Sequence, residues 1–338
     1  MHWSYPTGYL ALKAARALGE KERETESLVM THHFLSDAQA TCPPELVAQA
    51  ASGPAPRVAI ARAGAALPMQ AAKEATEAGI MSPLFVGEAG AIRSEADALG
   101  WDISAFPLHE TTGEAEAALA AASLCGAGEA DVLMKGHLHT DAFMKGALAR
   151  GAGLRTGGRL VHVFHITPPG HDAPILISDA AVNVAPDIAT RQAATHAVVR
   201  LARARGIATP RVAFLSATES AIPSVPSSME AAELADWARG EIGGAHFSGP
   251  LALDLILSPE SAAVKGLSDD PVAGRADCVV VPDIVSGNAL FKALVYLSGG
   301  CAAGVVMGAK VPILLTSRAD PAPARLASAC LAAILVNS

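Results

Sequence analysis

The most constraining feature of this chain is a regular alternation, from residue 43 onward, of short apolar runs with longer segments of helical periodicity. Short apolar runs bounded by turn residues are typical of buried strands, and apolar residues three and four positions apart are typical of amphipathic helices. Parallel strands need long crossover connections, which helices supply, so the alternation predicts a parallel, doubly wound sheet with helices on both faces. We therefore expect an α/β protein.

The predicted elements cover most of the chain. The predicted strands are 57–62, 82–86, 131–134, 160–166, 175–177, 211–215, 278–281, 301–307 and 311–315. The predicted helices are 67–78, 89–99, 115–125, 140–149, 187–204, 227–238, 286–297 and 322–335. A glycine-rich joint at 151–158 resembles an interdomain hinge or a tight ligand loop. Residues 1–42 differ from the rest, being polar with a mixed-charge run, and we treat them as an N-terminal extension of unknown role.

Composition narrows the class of protein. The 338 residues are 51% hydrophobic but only 4% aromatic, so Ala, Val, Leu and Ile must build the core, as in compact α/β enzymes. The net charge is -8 and no basic run stands out, which argues against nucleic-acid binding. No apolar stretch reaches the roughly 20 residues that span a membrane, and no signal-peptide pattern opens the chain. We expect a cytoplasmic protein without membrane contact.

Two kinds of reactive signature are absent from the sequence. The five cysteines contain no CxxC pair, and Cys278 and Cys301 lie in apolar, strand-like runs, so we interpret them as small buried hydrophobic residues in a reducing compartment. Neither GxxxxGK[ST] nor GxGxxG is present, which disfavours P-loop enzymes and Rossmann dehydrogenases.

The apolar run 311–315 leads directly into a hydroxyl, a guanidinium and a carboxylate, those of Ser317, Arg318 and Asp320. Reactive groups at the carboxyl end of a strand, just before a helix, are where open α/β proteins bind ligands. The planar fork of arginine bonds two phosphate oxygens at once, serine donates to an acyl oxygen, and aspartate accepts a proton. A helix cap with a surface ion pair is the alternative interpretation.

A second polar segment follows the predicted strand at 131–134 and precedes a helix. The free backbone N–H groups of that helix start, with Thr140 or Asp141 as cap, can bind an anion. The candidate substrate-binding residues here are Lys135, His137, Thr140 and Lys145. The alternation of His137, His139 and Asp141 leaves a metal site open as an alternative, although catalytic zinc sites usually use other spacings.

Further polar loops follow three other predicted strands. They contain Asp179 and Asn183 in one case, residues 216–220 in another, and Asp283 and Asn288 in the last. Asx side chains also order their own turns, so a structural role is the alternative. Because all these loops follow strand ends, we expect them to form one cleft with Arg318 on its wall.

At these residues the chain resembles the phosphate acetyl/butyryltransferase family. The motifs that carry the resemblance are KGHLHTDAFMKGAL, ISDAAVNVAPD, SATES, GPLALD, VAGRADCVVVPDIVSGNALFKAL and LLTSRAD. The resemblance implies two doubly wound α/β domains with a deep interdomain cleft, an architecture similar to isocitrate and isopropylmalate dehydrogenases. It places domain I at 43–158 plus 300–338 and domain II at 159–299, and it implies a homodimer.

The resemblance also implies the chemistry. Coenzyme A and an acyl phosphate bind together, a carboxylate deprotonates the CoA thiol, and the thiolate attacks the acyl carbonyl as phosphate leaves. Ser317 and Arg318 match the family's serine–arginine pair, with roles toward the acyl oxygen and the phosphate. Lys145 stands where acetyltransferase relatives carry a substrate-binding arginine.

The residue implied as general base falls around 322–324, where this chain has alanines. Asp320 is therefore our candidate, with Asp283 and Asp254 as alternates. The predicted function is a phosphate acyltransferase, acyl-CoA plus phosphate giving acyl phosphate plus CoA, with acetyl favoured over butyryl and with no cofactor or metal. The alternatives are an NAD-dependent dehydrogenase of related fold and a non-catalytic homologue that binds CoA or acyl phosphate.

Overall fold

The computed structural model describes residues 34–171, 173–315 and 320–338. The predicted N-terminal extension therefore lies outside the described residues up to residue 33. The same holds for Ser317 and Arg318. Residues 36–338 form one compact unit.

Helices and strands alternate through the described part, as the sequence predicts. Its strands are β1 (Arg57–Ala61), β2 (Ser82–Gly87), β3 (Leu108–Glu110), β4 (Val132–Lys135), β5 (Val161–Thr167), β6 (Ile175–Ser178), β7 (Arg211–Leu215), β8 (His246–Leu251), β9 (Cys278–Val280), β10 (Cys301–Met307) and β11 (Ile313–Leu314). Its helices are α1 (Pro44–Ala51), α2 (Ala66–Glu77), α3 (Ala89–Ala98), α4 (Gly113–Ala127), α5 (Thr140–Ala147), α6 (Ile188–Ala204), α7 (Pro226–Glu241), α8 (Leu253–Leu257), α9 (Pro259–Val264), α10 (Ile284–Tyr296) and α11 (Ala322–Val336).

The strands form one sheet in the order β3-β2-β1-β4-β11-β10-β5-β6-β9-β7-β8. Strands β1, β2, β3, β4 and β11 pair in parallel, as do β6, β9, β7 and β8. Strand β10 is antiparallel to both β11 and β5, and β5 is antiparallel to β6. The prediction of a wholly parallel sheet is therefore wrong at its centre. The segments that join β5 to β6 and β10 to β11 are too short for a crossover, so these strands pair as hairpins.

This reversal sends the two halves of the sheet in opposite directions. The carboxyl ends of β4 and β11 lie at one edge of the sheet, and those of β6, β9 and β7 lie at the opposite edge. The polar loops that we expected at a single edge are thus divided between two edges, and any site that they share has to lie across the middle of the sheet.

The junction between the halves is narrow. Strand β10 pairs with β5 along its whole length, whereas within the described residues it pairs with β11 only at Val306 and Ile313. Beyond that pair, no described residue forms a strand beside the first half of β10 on this side. There the backbone N–H of Gly304 donates to the Oγ of Ser328 on α11 at 2.9 Å.

The core lies on both faces of the sheet and is built from small side chains. One cluster fills one face along the whole sheet, and two separate clusters fill the other face, one under α4 and α5 and one under α8, α9 and α10. Glycine lets the first pair of helices approach closely, since a Cβ at Gly146 would lie 2.6 Å from the Cβ of Ala118. On this second face the central strands are left between the two clusters.

The sequence analysis missed several short elements. They are β3, β8 and the helices α1, α8 and α9. Strand β3 has polar, exposed residues, and β8 contains Gly249 and Pro250, so neither has the apolar run on which the prediction relied. The burial of Cys278 and Cys301 is confirmed. Among the described residues, no helix is both long and apolar enough to cross a membrane.

Two buried histidines on β5 predict a loss of stability in mild acid. Burial lowers the pKa of His162 to about 4 and that of His165 to about 3, where the positive charge of Arg205 adds to the shift. Unfolded histidine titrates near 6.5, so below this pH the unfolded state binds more protons than the folded state, and stability falls as pH falls. Between pH 6.5 and 5 the two histidines together should lower the free energy of unfolding by about 3 kcal/mol.

Chemical denaturation across this pH range measures the effect, and carboxylates contribute little there because they stay ionised in both states. His165→Gln keeps an acceptor for the Nε of Arg205, which bonds the Nε2 of His165 at 3.3 Å. We expect this variant to show about half of the wild-type pH dependence. The matched control is His137→Gln, at an exposed position. If the free energy of unfolding of His165→Gln depended on pH as strongly as that of wild type, the lowered pKa of His165 would be contradicted.

Candidate functional site

The junction between the two halves of the sheet opens into a cavity of about 350 Å³, which we call the central cavity. Its floor is formed by the central strands β5 and β10, and α10 forms one wall. The start of α11 and residues 38–40 close other sides. A cavity of this size is in the range of small-molecule sites. The short β11 leaves the room for it.

The strand-to-helix segment at 315–320 borders the central cavity. Leu315 and Asp320 both line it, and the four residues between them lie outside the described part of the chain. Helix α11 has Pro321 as its N-cap residue, with no side-chain cap bond. The backbone oxygen of Asp320 accepts a bond from the Nη1 of Arg325.

The floor of the cavity contains a histidine that the sequence analysis missed. His162 and Phe164 alternate with buried residues on β5 and so share one face of the sheet, with their ring centroids 4.2 Å apart. The side chain of His162 is nearly inaccessible, at 3% exposure, and its Nδ1 has no hydrogen-bond partner among the described residues. Burial lowers the pKa of His162, and the negative charge of Asp179 opposes that shift. The available signal was a histidine inside an otherwise apolar strand.

Aromatic rings form the wall beside this histidine. Phe164 stacks on Phe291 of α10 with ring centroids 3.9 Å apart and planes 8° from parallel. Lys292 and Tyr296 of the same helix also line the cavity. The wall therefore combines an apolar surface with one cation near its mouth.

Lys135 lies at the same sheet edge as the start of segment 315–320. It ends β4, it is buried, and the register pairs its neighbour Met134 with Leu314. Of the predicted cation positions, this one is next to the segment that carries Ser317 and Arg318.

The rest of the 135–145 segment lies farther out. His137 and Thr140 are exposed, and α5 has His139 as its N-cap residue with no side-chain cap bond, so the predicted cap by Thr140 or Asp141 is wrong. The Nδ1 of His139 instead lies 3.0 Å from both carboxylate oxygens of Glu114. Within the part that the structure describes, no three His, Cys, Asp or Glu side chains form a group that could hold a metal ion.

Lys145 lies on the exposed face of α5, away from the central cavity. It lines a separate cavity of about 480 Å³ between α4 and α5, together with Asp141 and Leu119. The structure therefore does not bring Lys145 together with Asp320.

Asp179 and Asn183 order the loop that follows β6. The Oδ1 of Asp179 accepts from the backbone N–H groups of Ala181 and Val182 at 2.9 and 3.0 Å, and Asn183 donates to the backbone oxygen of Leu160 at 2.8 Å. This network holds the loop so that Ala181 lines the central cavity. The loop thus reaches the cavity although β6 ends at the opposite edge.

Asp283 and Asn288 fix the helix that forms the aromatic wall. The Oδ1 of Asp283 caps α10 by accepting from the backbone N–H and the hydroxyl of Ser286 at 2.8 and 2.9 Å. Asn288 donates to the backbone oxygen of Ala180 at 3.3 Å, which ties α10 to the loop after β6. Asp254 is exposed on α8.

Comparison with known proteins places the chain in a family. The family model described as Phosphate acetyl/butaryl transferase matches residues 107–333. A phosphate acetyltransferase of Rhizobium meliloti is 42% identical over 262 residues, which cover 77% of this chain and 83% of that protein. A phosphate butyryltransferase of Clostridium acetobutylicum is 34% identical over 295 residues, which cover 87% of this chain and 98% of that protein.

Comparison with solved structures also finds a phosphotransacylase. The branched-chain phosphotransacylase from Enterococcus faecalis V583 superposes with a TM-score of 0.73 at 31% sequence identity, covering 83% of this chain and 98% of that one. The mixed α/β fold with one large sheet is thereby shared with a phosphotransacylase. The matched family span contains every candidate site residue, from Lys135 to Asp320.

The cap at the start of α10 gives a test of how the aromatic wall is held. Asp283→Ala removes the acceptor of two bonds and should lower the free energy of unfolding by about 1 kcal/mol. Asp283→Asn keeps an acceptor oxygen and should stay close to wild type. Thermal and urea unfolding measure both, with Asp254→Ala as the exposed control. Equal losses of unfolding free energy in Asp283→Ala and Asp283→Asn would show that the negative charge of Asp283, and not its hydrogen-bonded cap, stabilises the start of α10.

Proposed function

The chain belongs to the phosphate acetyl/butyryltransferase family and is a phosphate acyltransferase, and we propose that its reaction takes place in the central cavity. In this proposal acyl-CoA and inorganic phosphate are interconverted with acyl phosphate and CoA. The CoA is a substrate, and the reaction uses no cofactor.

One observation carries the proposal. Leu315 and Asp320 both line the central cavity, and Ser317 and Arg318 lie between these two residues in the sequence. Lys135 ends the neighbouring strand at the same edge. In the proposal these two cationic residues bind the charged end of a substrate whose uncharged end lies in the partly apolar cavity.

The mechanism that we propose is direct transfer within a ternary complex. The CoA thiol loses its proton to a carboxylate, and the thiolate sulfur adds to the carbonyl carbon of the acyl phosphate. The carbonyl electron pair moves onto oxygen, where Ser317 donates a hydrogen bond to the developing charge. The pair then returns, the C–O bond to phosphate breaks, and phosphate leaves with its charge held by Arg318.

Asp320 is the proposed base among three carboxylates. It lines the cavity, whereas Asp283 caps α10 and Asp254 lies exposed on α8. Lys145 is assigned to binding of an outer part of the substrate, because it lies on α5 and lines a different cavity. His137, Thr140, Asp179, Asn183 and Asn288 complete the proposed substrate-binding set, the last three through the loop and helix that shape the cavity.

We further propose two α/β domains with the cleft between them, in the manner of isocitrate and isopropylmalate dehydrogenases. The narrow junction at Val306 and Ile313 supports this arrangement, as do the two separate core clusters on the cavity face. We place the reaction in the cytoplasm, with support from the five free cysteines.

A homodimer also belongs to the proposal. Val184 and Val285 are 70% and 74% exposed, and the backbone N–H of Ile284 contacts the oxygen of Val184 at 3.3 Å, so the two valines are neighbours on one surface. Burial of such a patch in a partner is favourable. Light scattering should give the mass of two chains, and the mass of one chain would refute the dimer.

The reaction itself is tested by release of free CoA thiol. With acetyl-, propionyl- and butyryl-CoA we expect release that requires inorganic phosphate and needs neither metal nor nicotinamide, with acetyl-CoA the preferred substrate. Arg318→Ala should lower kcat/KM by several orders of magnitude and raise KM for phosphate, because a charge-assisted contact is lost. Arg318→Lys keeps the positive charge but loses the planar guanidinium fork, so its kcat/KM should lie between the values of wild type and Arg318→Ala.

Controls separate this result from the alternatives. Arg150→Ala, at an exposed arginine, should retain wild-type turnover, and in the same assay Asp320→Asn should lose turnover while Asp283→Asn keeps it. Near wild-type turnover of Arg318→Ala would remove Arg318 from the site. CoA binding without turnover would identify a binding protein, and the absence of CoA binding with nicotinamide-dependent oxidation would identify a dehydrogenase.

A further inference from the structure

His162 is a buried polar group in the central cavity for which the roles above give no use. It lines the cavity that Leu315 and Asp320 also line. Its Nδ1 has no hydrogen-bond partner among the described residues, although the side chain is almost fully buried. A buried polar atom without a partner costs about 1–3 kcal/mol, so a role outside stability has to explain its retention.

The neighbours of the imidazole hold it in place against β10. A Cβ at Gly304 would lie 2.7 Å from the Cε1 and 2.8 Å from the Nε2 of His162, so only glycine leaves room for the ring there. Phe164 packs on the ring from the other side, at 4.2 Å between centroids. The imidazole is thus positioned by the backbone of β10 and by a tilted contact with Phe164, while its Nδ1 has no hydrogen-bond partner among the described residues.

The surroundings of His162 determine which part of a substrate it can meet. Phe164, Phe291 and Val295 make this part of the cavity apolar, which suits an uncharged group better than a phosphate. Among the described residues, the charged side chains that line the cavity are Asp320 and Lys292, and the charge of Asp179 acts on His162 in its floor. Burial keeps the pKa of His162 low, so the ring is neutral at physiological pH and offers one N–H donor.

We propose that His162 is a catalytic residue that hydrogen-bonds the acyl carbonyl oxygen of the substrate, so that the acyl group lies against Phe164. This inference rests on the proposed function. As the thiolate adds to the carbonyl carbon, the carbonyl electron pair moves onto the oxygen, and the neutral imidazole N–H donates to that developing charge. The imidazole keeps its proton when the pair returns and phosphate leaves. A preorganised donor in a dry site stabilises such charge strongly.

Two variants of similar size separate hydrogen bonding from packing. His162→Gln keeps an N–H donor, and His162→Met fills the same space without one. We expect His162→Met to lower kcat on the order of a hundredfold, with KM for phosphate unchanged, and His162→Gln to retain at least a tenfold higher kcat than His162→Met. His165→Gln, on the opposite face of the same strand, is the matched control and should turn over like wild type.

The pH profile separates a neutral donor from a proton-transferring base. Wild type and His162→Gln should show the same dependence of kcat on pH from about 6 to 8, because a neutral imidazole does not titrate in that range. Loss of a titration limb in His162→Gln would show that His162 exchanges a proton and would overturn the donor role. Equal kcat values for His162→Met and wild type, or for His162→Met and His162→Gln, would overturn it as well.

The outcomes also distinguish failure of this inference from failure of the proposed function. If wild-type protein releases no thiol from any acyl-CoA, the proposed function fails and the role of His162 fails with it. If wild type is active and folded His162→Met is equally active, only the role of His162 fails. Urea unfolding of each variant verifies folding, and an apolar Met in this apolar wall is compatible with the packing.

Discussion

The antiparallel insertion of β10 between β11 and β5 is the constraint on which the rest of the structure depends. Because β10 runs against both neighbours and β5 runs against β6, the two halves of the sheet point in opposite directions. Within the described residues β11 is two residues long and the first half of β10 has no strand beside it on that side, and the central cavity lies there. The chain leaves β11 directly at this opening, so the segment that contains Ser317 and Arg318 begins and ends on the cavity wall.

Alanine and glycine dominate the contacts between helices, whereas aromatic rings dominate one wall of the cavity. The helix layers pack through alanine and glycine, which lets α4 and α5 approach closely at Gly146 and Ala118. The cavity wall instead uses the stacked rings of Phe164 and Phe291. Large rigid rings exclude water without filling the cavity, and a drier site makes each hydrogen bond to a developing charge worth more. Two of the chain's few aromatic residues, Phe164 and Phe291, therefore lie where the proposed chemistry needs an apolar surface.

The sequence was most informative where a pattern is local. Apolar runs identified most of the strands, and Asp187 caps α6 at the position where a helix was predicted to begin. The turn at 168–170 indicated that the predicted strands 160–166 and 175–177 pair with each other, and they do so as β5 and β6. The direction of β10 was harder to predict, because the periodicity of a strand is the same in parallel and antiparallel sheets, and the short link at 308–312 is its only local sign. The division of the polar loops between two edges followed from that missed reversal.

Site prediction from the sequence had the same limits. Polar residues in loops attract attention, so Asp179, Asn183 and Asp283 were selected, and the structure gives each of them a hydrogen-bonding role in a loop or a helix cap. His162 was missed because a histidine within an apolar strand is more often a satisfied core residue. Only the position of Gly304 on the neighbouring strand, together with the unpartnered Nδ1, distinguishes it from such a residue.

The strands contribute to the central cavity in two different ways. Strand β11 reaches it with its carboxyl end, at Leu315, and β4 ends beside β11 at Lys135. Strand β5 instead presents one face, with His162 and Phe164, to the same cavity. In the proposed reaction the strand ends bind the phosphate and the face of β5 binds the acyl group, because anions suit the ends of strands and helices whereas uncharged groups suit an apolar surface. One cavity can thereby serve a substrate with two unlike ends.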